Sequence, residues 1–339
     1  MTQQLLNTLF VQTQGAYLRL EHDTLRMEVE TELKLQMPLH HLGGIALFGN
    51  VLISPFLLAR CAQDGREVAW FSEHGRFQGR LSGPVSGNVL LRQAQHKAQE
   101  NASQNLCWAR RFVEGKLRNT RSILQRAARE RGESSVIKAA LSEHETSLRL
   151  MAGTTTLDEV RGLEGNAAAS YFTAFGELIL VEGFSFDGRN KRPPRDPANA
   201  LLSFLYALLT TDCVAALEGV GLDPQVGFLH ALRPGRPALA LDLLEEFRSW
   251  LADRLALALL NRKQLALENF DERPGGAVYL NKTGRKEVIV AYQKRKQESV
   301  QHLLLKEPVP IGLLPHIQAR LLARYLRGDL PEYPPFVGK

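Results

Sequence analysis

The apolar pattern of this chain changes period once, and that change limits what the chain can fold into. As far as about residue 80 apolar and polar residues alternate in short runs; beyond LSGPVSGN, residues 81–88, apolar residues recur at a spacing near 3.6. Alternation sends successive side chains to opposite faces of a strand, whereas the longer period draws one apolar stripe along a helix. In AYLRLEHDTLRMEV, residues 16–29, Tyr17 to Leu20 form one strand and Glu21 to Thr24 a polar turn. Leu25, Met27 and Val29 then alternate with Arg26 and Glu28, which completes a hairpin. KLQMPL and GIALFG continue as short strands. SPFLLARCAQDG offers one helix, with Ser54 as N-cap, Pro55 in the first turn and Gly65 near its end. EVAWF, residues 67–71, returns to strand before a turn at Ser72 to Gly75. The expected fold class is α+β: a small, mostly β domain over 1–82, a Gly/Pro/Ser-bearing linker at 83–88, and a larger, mainly α-helical domain over 89–339.

Within the helical part, Thr156 and Glu159 match the S/T-x-x-E capping box, and Gly162, Gly165 and Ala167 to Ala169 suggest close packing against another helix. Pro193, Pro194 and Pro197 break regular structure just ahead of a strongly apolar helix that begins near Asn199. Residues 277–298 read as a short hairpin turning at Asn281 to Gly284, followed by a basic helix. The segment 88–131 carries Lys97, Arg110, Arg111, Lys116, Arg118, Arg121, Arg126, Arg129 and Arg131 against Glu100, Glu114 and Glu130. It could follow a phosphate backbone or simply form a solvated helix face.

A formal charge of +6 favours polyanionic partners without establishing one. Cys61, Cys107 and Cys213 show no CxxC spacing and read as reduced, packed thiols. The amino terminus lacks a basic start with an apolar core, and no later segment approaches the roughly 20 apolar residues of a membrane span. A cytoplasmic location without membrane association is therefore expected. No GxSxG, Walker-type loop, GxGxxG or HExxH signature is present, so covalent catalysis by serine or thiol has no support.

The stretch GFLHALRPGRPALALDLLEEFR, residues 227–248, bears chemistry. On a helix from Leu241 onward, Leu243, Leu244, Phe247, Trp250 and Leu251 share one side, and Asp242, Glu245, Glu246, Ser249 and Asp253 the other. The acids could be the outer face of an ordinary amphipathic helix. The apolar PALAL leading into Asp242, with the lone His230 nearby, points instead to a partly enclosed first turn. Glu246, Ser249 and Asp253 are then expected to stay solvated while Asp242 and Glu245 turn towards His230. Enclosed carboxylates repel and need a cation, and the three-residue spacing of Asp242 and Glu245 lets both reach one ion. Oxygen ligands with one histidine suit Mn2+, with Mg2+ also feasible. The other histidines read as surface or packed side chains.

Four segments together resemble a known family: VRGLEGNAAASYF, RNKRPPRDPANALLSFLYALL, GFLHALRPGRPALALDLLEEFR and ARYLRGDLPEYPPF. They are similar to the CRISPR-associated integrase that captures new spacers, especially its subtype I-C form, and the likeness runs over nearly the whole chain. That resemblance implies a metal-dependent DNA integrase and endonuclease using Mg2+ or Mn2+. It further implies a homodimer that assembles with a small companion spacer-acquisition protein on double-stranded DNA, both fragment and repeat array. Its metal-binding positions fall on Glu164, His230 and Glu245, with Asp242 as a further catalytic member. Arg189, Lys191, Arg192, Arg248, Lys294 and Arg295, in or beside the matched motifs, are candidate phosphate contacts. A non-enzymatic DNA-binding assembly protein and a general metal-dependent nuclease are the alternatives.

Overall fold

The computed structural model describes residues 8–73, 77–81, 83, 89–132 and 134–338. Most of the expected linker, and Gly75 at the end of the expected turn after EVAWF, lie outside the described residues. The amino-terminal elements are β1 (Thr8–Val11), β2 (Ala16–Glu21), β3 (Thr24–Val29), β4 (Glu32–Pro38), β5 (Gly44–Phe48), β6 (Val51–Ile53), α1 (Pro55–Gln63), β7 (Glu67–Phe71) and β8 (Phe77–Leu81). They form two four-stranded sheets, ordered β4-β3-β2-β6 and β1-β5-β7-β8. The hairpin is β2 and β3, with Glu21 opposite Thr24. Ser54 caps α1 by accepting the Leu57 N–H at 3.2 Å, a contact of a kind that contributes about 1 kcal/mol.

The continuous apolar run of β5 has a plain cause. Ile45 and Leu47 pack with Leu18, Leu25 and Leu57 in the small core between the sheets and α1. Ala46 and Phe48 point the other way and pack with Phe71 into the large helical core. A strand buried on both faces needs no polar side.

The rest is built from α2 (Val89–Glu100), α3 (Ala102–Arg131), α4 (Ser135–Met151), α5 (Leu157–Leu178), α6 (Pro197–Gly219), α7 (Ala238–Phe247) and α8 (Arg254–Asn261). Then come β9 (Phe270–Arg273), β10 (Ala277–Leu280), α9 (Lys282–Gln297), β11 (Ser299–Gln301), β12 (Pro308–Pro310) and α10 (Leu314–Leu326). An N-terminal β-rich region thus precedes a mainly helical one, and the Arg80–Glu218 ion pair ties β8 to α6.

The capping box is present: Thr156 Oγ1 accepts the Glu159 N–H at 3.2 Å and Glu159 Oε2 accepts the Thr156 N–H at 3.3 Å. Helix α6 starts at Pro197 behind an Asp196 cap. Its 23 residues are long and apolar enough to cross a bilayer, against the expectation that no segment approaches a span. Two thirds of that window, 67%, is nevertheless buried inside the protein, which makes α6 the central core helix.

Two local expectations fail. The hairpin near residue 280 is β9 with β10, turning through Gly275 and Gly276 at φ +92° and +73°. Asn281 instead caps α9 by accepting the Gly284 N–H at 2.9 Å, and an Asn serves either purpose equally well. Among the described residues a Cβ at Gly162 or Gly165 would meet no atom within 4 Å, whereas Ala167 is fully buried in a core cluster.

Candidate metal centre

Helix α3 packs against both α5 and α7, and the loop before α7 reaches α5, where Arg161 donates to the Leu229 carbonyl. Gly227 sets the entry of that loop, since a Cβ there would stand 2.6 Å from the Ala238 carbonyl carbon. The loop is then fixed by one buried carboxylate. Asp242 Oδ2 accepts the N–H groups of Phe228 at 2.6 Å and Leu229 at 3.0 Å. Oδ1 accepts the His230 N–H at 3.0 Å and lies 2.7 Å from His230 Nδ1. These donors satisfy the oxygens that burial removes from water. The same contact sets the ring: with Nδ1–H donated to Asp242, Nε2 remains for the cleft that His230 lines.

That cleft, of about 400 Å³, is walled by Glu164 from α5, Glu245 from α7, His230, Arg161 and Arg236. Glu245 is 4% exposed. Its carboxylate lies 2.7 Å from the Lys116 ammonium and 3.0 Å from Arg248 Nη1. The same ammonium contacts Glu164 Oε1. Burial alone would raise the Glu245 carboxyl, but Lys116 and Arg248 outweigh it and hold it below the usual carboxylate range. Lys116 is held above its ordinary range, because Glu245 and Glu164 outweigh a burial that would lower it.

Among the described residues no three His, Cys, Asp or Glu side chains are arranged as ligands of one ion. Glu164 and Glu245 instead meet through an ammonium. Two carboxylates and a free imidazole nitrogen on one cleft are the donor chemistry of a divalent cation, and the ammonium is a stand-in positive charge between the two acids, so the residues fit such an ion. Asp242 stands apart from this set: among the described residues its hydrogen bonds go to the loop N–H groups and to His230.

Lys116 has no place among the residues that sequence reasoning singled out, where it counts only as one of a basic series. Its signal was positional. Trp108, Ala109, Phe112, Val113, Leu117 and Thr120 are all buried, so Lys116 lies on the apolar stripe of α3, where a lysine needs a buried partner.

The acidic stripe of α7 does not face solvent. Glu246, Ser249 and Asp253 are 0%, 2% and 1% exposed, against the expectation that they stay solvated. The backbone passes into a π turn over Arg248–Asp253, which breaks the 100° periodicity, and the carboxyl-terminal segment covers the remaining face. Glu246 accepts from Tyr333 Oη at 2.6 Å, Phe336 N at 2.7 Å and Gln318 Nε2 at 3.0 Å. Burial pushes its carboxyl up to about 8 despite those donors. Asp253 accepts from Tyr171 at 2.9 Å and Tyr206 at 2.5 Å.

The basic candidates divide. Arg248 grips Glu245 and lies over the Tyr206 ring at 4.4 Å. Arg189 donates to Asn199 Oδ1 at 2.6 Å and Ser203 Oγ at 2.9 Å, which fixes the proline-rich loop onto α6. Both are committed inside the protein. Arg295 pairs with Glu298 and stacks on Trp250. Lys191, Arg192 and Lys294 are exposed. On α3, Arg118 and Arg126 pair with Glu114 and Glu130 one turn away, and Arg110 donates to Thr154.

Comparison with known proteins agrees in both sequence and fold. The family described as CRISPR associated protein Cas1 matches residues 9–294. A CRISPR-associated endonuclease Cas1 from Moorella thermoacetica is 53% identical over 338 residues, covering 98% of each chain. Among solved structures, a CAS1 protein from Thermotoga maritima superposes with a TM-score of 0.82 at 23% identity, over 95% of this chain and 97% of that one. A Cas6-RT-Cas1–Cas2 complex contains a chain matching at a TM-score of 0.84 and 20% identity, over 99% of this chain and 36% of that one.

Proposed function

Because the chain belongs to the Cas1 family, and so is a CRISPR-associated endonuclease and integrase of spacer acquisition, we propose that its DNA chemistry takes place in the cleft between Glu164, His230 and Glu245. The observation that carries this is the convergence of two carboxylates on one cation, beside an imidazole whose other nitrogen is tied to Asp242.

A 3′-hydroxyl of a double-stranded DNA fragment attacks a phosphodiester of the repeat array; a new P–O bond forms as the bond to the leaving 3′-oxygen breaks. The protein supplies no covalent nucleophile. Glu164, Glu245 and Nε2 of His230 would hold a divalent ion, Mg2+ or Mn2+, which would supply Lewis acidity to the phosphoryl oxygens. Asp242 keeps the imidazole in the tautomer with a free Nε2, and Arg248 keeps Glu245 aimed. Arg161 braces the loop, donating to the Leu229 carbonyl at 2.7 Å, and Arg236 offers its charge at the cleft wall. Lys191, Arg192 and Lys294 remain the phosphate contacts we favour, since Arg189 and Arg248 are engaged elsewhere.

The same reading takes the protein as a cytoplasmic homodimer of the subtype I-C form that works with a small companion acquisition protein. Its likeness in fold to a chain of a Cas1–Cas2 assembly supports the partnership. The test is strand transfer into a supercoiled repeat-bearing plasmid with the companion and Mn2+ or Mg2+. Glu164→Ala and His230→Ala should each lose about 100-fold or more of product, in keeping with loss of an electrostatic element of the transition state. Full product from either variant overturns the assignment, and salt-sensitive binding without any covalent product favours a purely architectural role.

A further inference from the structure

The proposed chemistry leaves Lys116 without a task, although its position is the costliest in the centre. Burying an ammonium is unfavourable unless it is paired, and the partners of Lys116 are the two carboxylates assigned to a divalent ion. Lys116 already occupies Glu164 Oε1 and Glu245 Oε2, so it competes with a divalent ion for those oxygens, and like charges at contact distance repel.

A separate small void touches the same side chain. It has room for about one water, at about 10 Å³, and its polar wall includes Lys116, Thr120, His144, Arg248, Ser249 and Asp253. Ser249 Oγ is buried and has no hydrogen-bond partner among the described residues. Asp253 brings a carboxylate to the same wall. Lysine has a flexible four-carbon stem and a compact head that can change seats, whereas the Arg248 guanidinium is wedged between Glu245 and the Tyr206 ring.

We propose that Lys116 is a resident counterion of the centre with two seats. It bridges Glu164 and Glu245 while the centre lacks a divalent ion, and it withdraws towards Ser249 and Asp253 when an ion takes the carboxylates. The free protein then keeps both acids in register, and the ion binds by exchange against an internal competitor. This rests on Glu164, His230 and Glu245 being the set that holds the metal.

The experiment uses the full chain without DNA. Mn2+ binding is followed by loss of the electron paramagnetic resonance signal of the free aquo ion, and thermal melts are run in chelator and in Mn2+. Lys116→Met should bind Mn2+ at least about tenfold more tightly than wild type, since tenfold corresponds to giving up only a small part of a buried ion pair. In chelator it should melt below wild type, and Mn2+ should restore it. Should that variant fail to fold under both conditions, Lys116→Arg decides: it keeps the charge with a two-pronged grip and should bind Mn2+ more weakly than wild type. Lys116→Met binding no tighter than wild type, or Lys116→Arg binding more tightly, overturns the proposal. Glu164→Gln separates the two levels, because wild-type Mn2+ binding by that variant means that the centre itself is wrongly assigned, whatever the lysine does.

Discussion

Replacing Asp242 by asparagine changes one atom and tests whether that carboxylate orients the centre. The side chain keeps its shape but retains one good acceptor. With the amide oxygen in place of Oδ2, the N–H groups of Phe228 and Leu229 remain bonded, and the new NH2 faces the His230 N–H and ring. A stranded buried N–H costs ~1–3 kcal/mol, and turning two charge-assisted bonds into neutral ones costs ~1 kcal/mol each. The expected loss is therefore ~3–5 kcal/mol, a large share of the ~5–15 kcal/mol that holds a domain together. A second effect is chemical. The amide can donate only to an unprotonated Nδ1, so the ring proton moves to Nε2, which then cannot ligate a cation. Denaturant midpoints measure the first effect, and two-bond ¹H–¹⁵N spectra of neutral His230 measure the second. An Asp242→Asn variant within ~0.5 kcal/mol of wild type, the background level of an inconsequential substitution, with Nδ1 still protonated, refutes this account.

Tyr333→Phe removes the hydroxyl that donates to Glu246 at 2.6 Å and should cost ~1–3 kcal/mol in chemical denaturation; an unchanged midpoint means that the carboxyl-terminal segment does not hold α7. Gly227→Ala places a methyl 2.6 Å from the Ala238 carbonyl carbon, so the loop must shift at ~1–3 kcal/mol and strand transfer should fall. Gly165→Ala, with nothing within 4 Å and a helical backbone, should be neutral or stabilising by up to ~1 kcal/mol, which makes it the matching control. His144 is depressed from its ordinary 6.5 by burial, partly offset by its bond to the Ala140 carbonyl at 2.7 Å. As pH falls the unfolded chain takes up this proton first. The stability His144 contributes is therefore complete above about pH 6.5 and is lost below it, at up to ~1.4 kcal/mol per pH unit. His144→Leu should flatten that acid limb of the stability curve, and an identical slope in the variant excludes His144 as its source.

What could be foreseen from sequence was local and signed by specific atoms. The β2–β3 hairpin follows from strict alternation around a polar turn, α1 from a Ser-Pro start, and α5 from a reciprocal Thr156–Glu159 pair. The candidate site shows in the sequence for a related reason: His230 interrupts an otherwise apolar loop, so its presence asks for an explanation. Lys116 was hidden because a basic helix offers many lysines and arginines, and only the long-range packing of α3 against α5 and α7 selects one. Asp242 and Glu245 looked equivalent on a helical projection, yet the loop backbone claims one and leaves the other. A straight 100° helix puts Glu246, Ser249 and Asp253 outside, and neither the π turn nor the covering segment, 87 to 90 residues beyond Glu246, has a local signature. The misplaced hairpin turn at Asn281 belongs here too, since the same residue caps helices and begins turns.

Strand β5 has a consequence for how the molecule can be taken apart. Its even and odd residues belong to different cores, so the strand is a party wall with a tenant on each side. Cutting the chain near residue 82 would leave the amino-terminal piece with its inner core intact and a bare stripe of Ala46, Phe48, Ala69 and Phe71 along a sheet. The helical piece would lose one wall of its own interior. The two regions are thus poor candidates for separate expression or for grafting onto other partners.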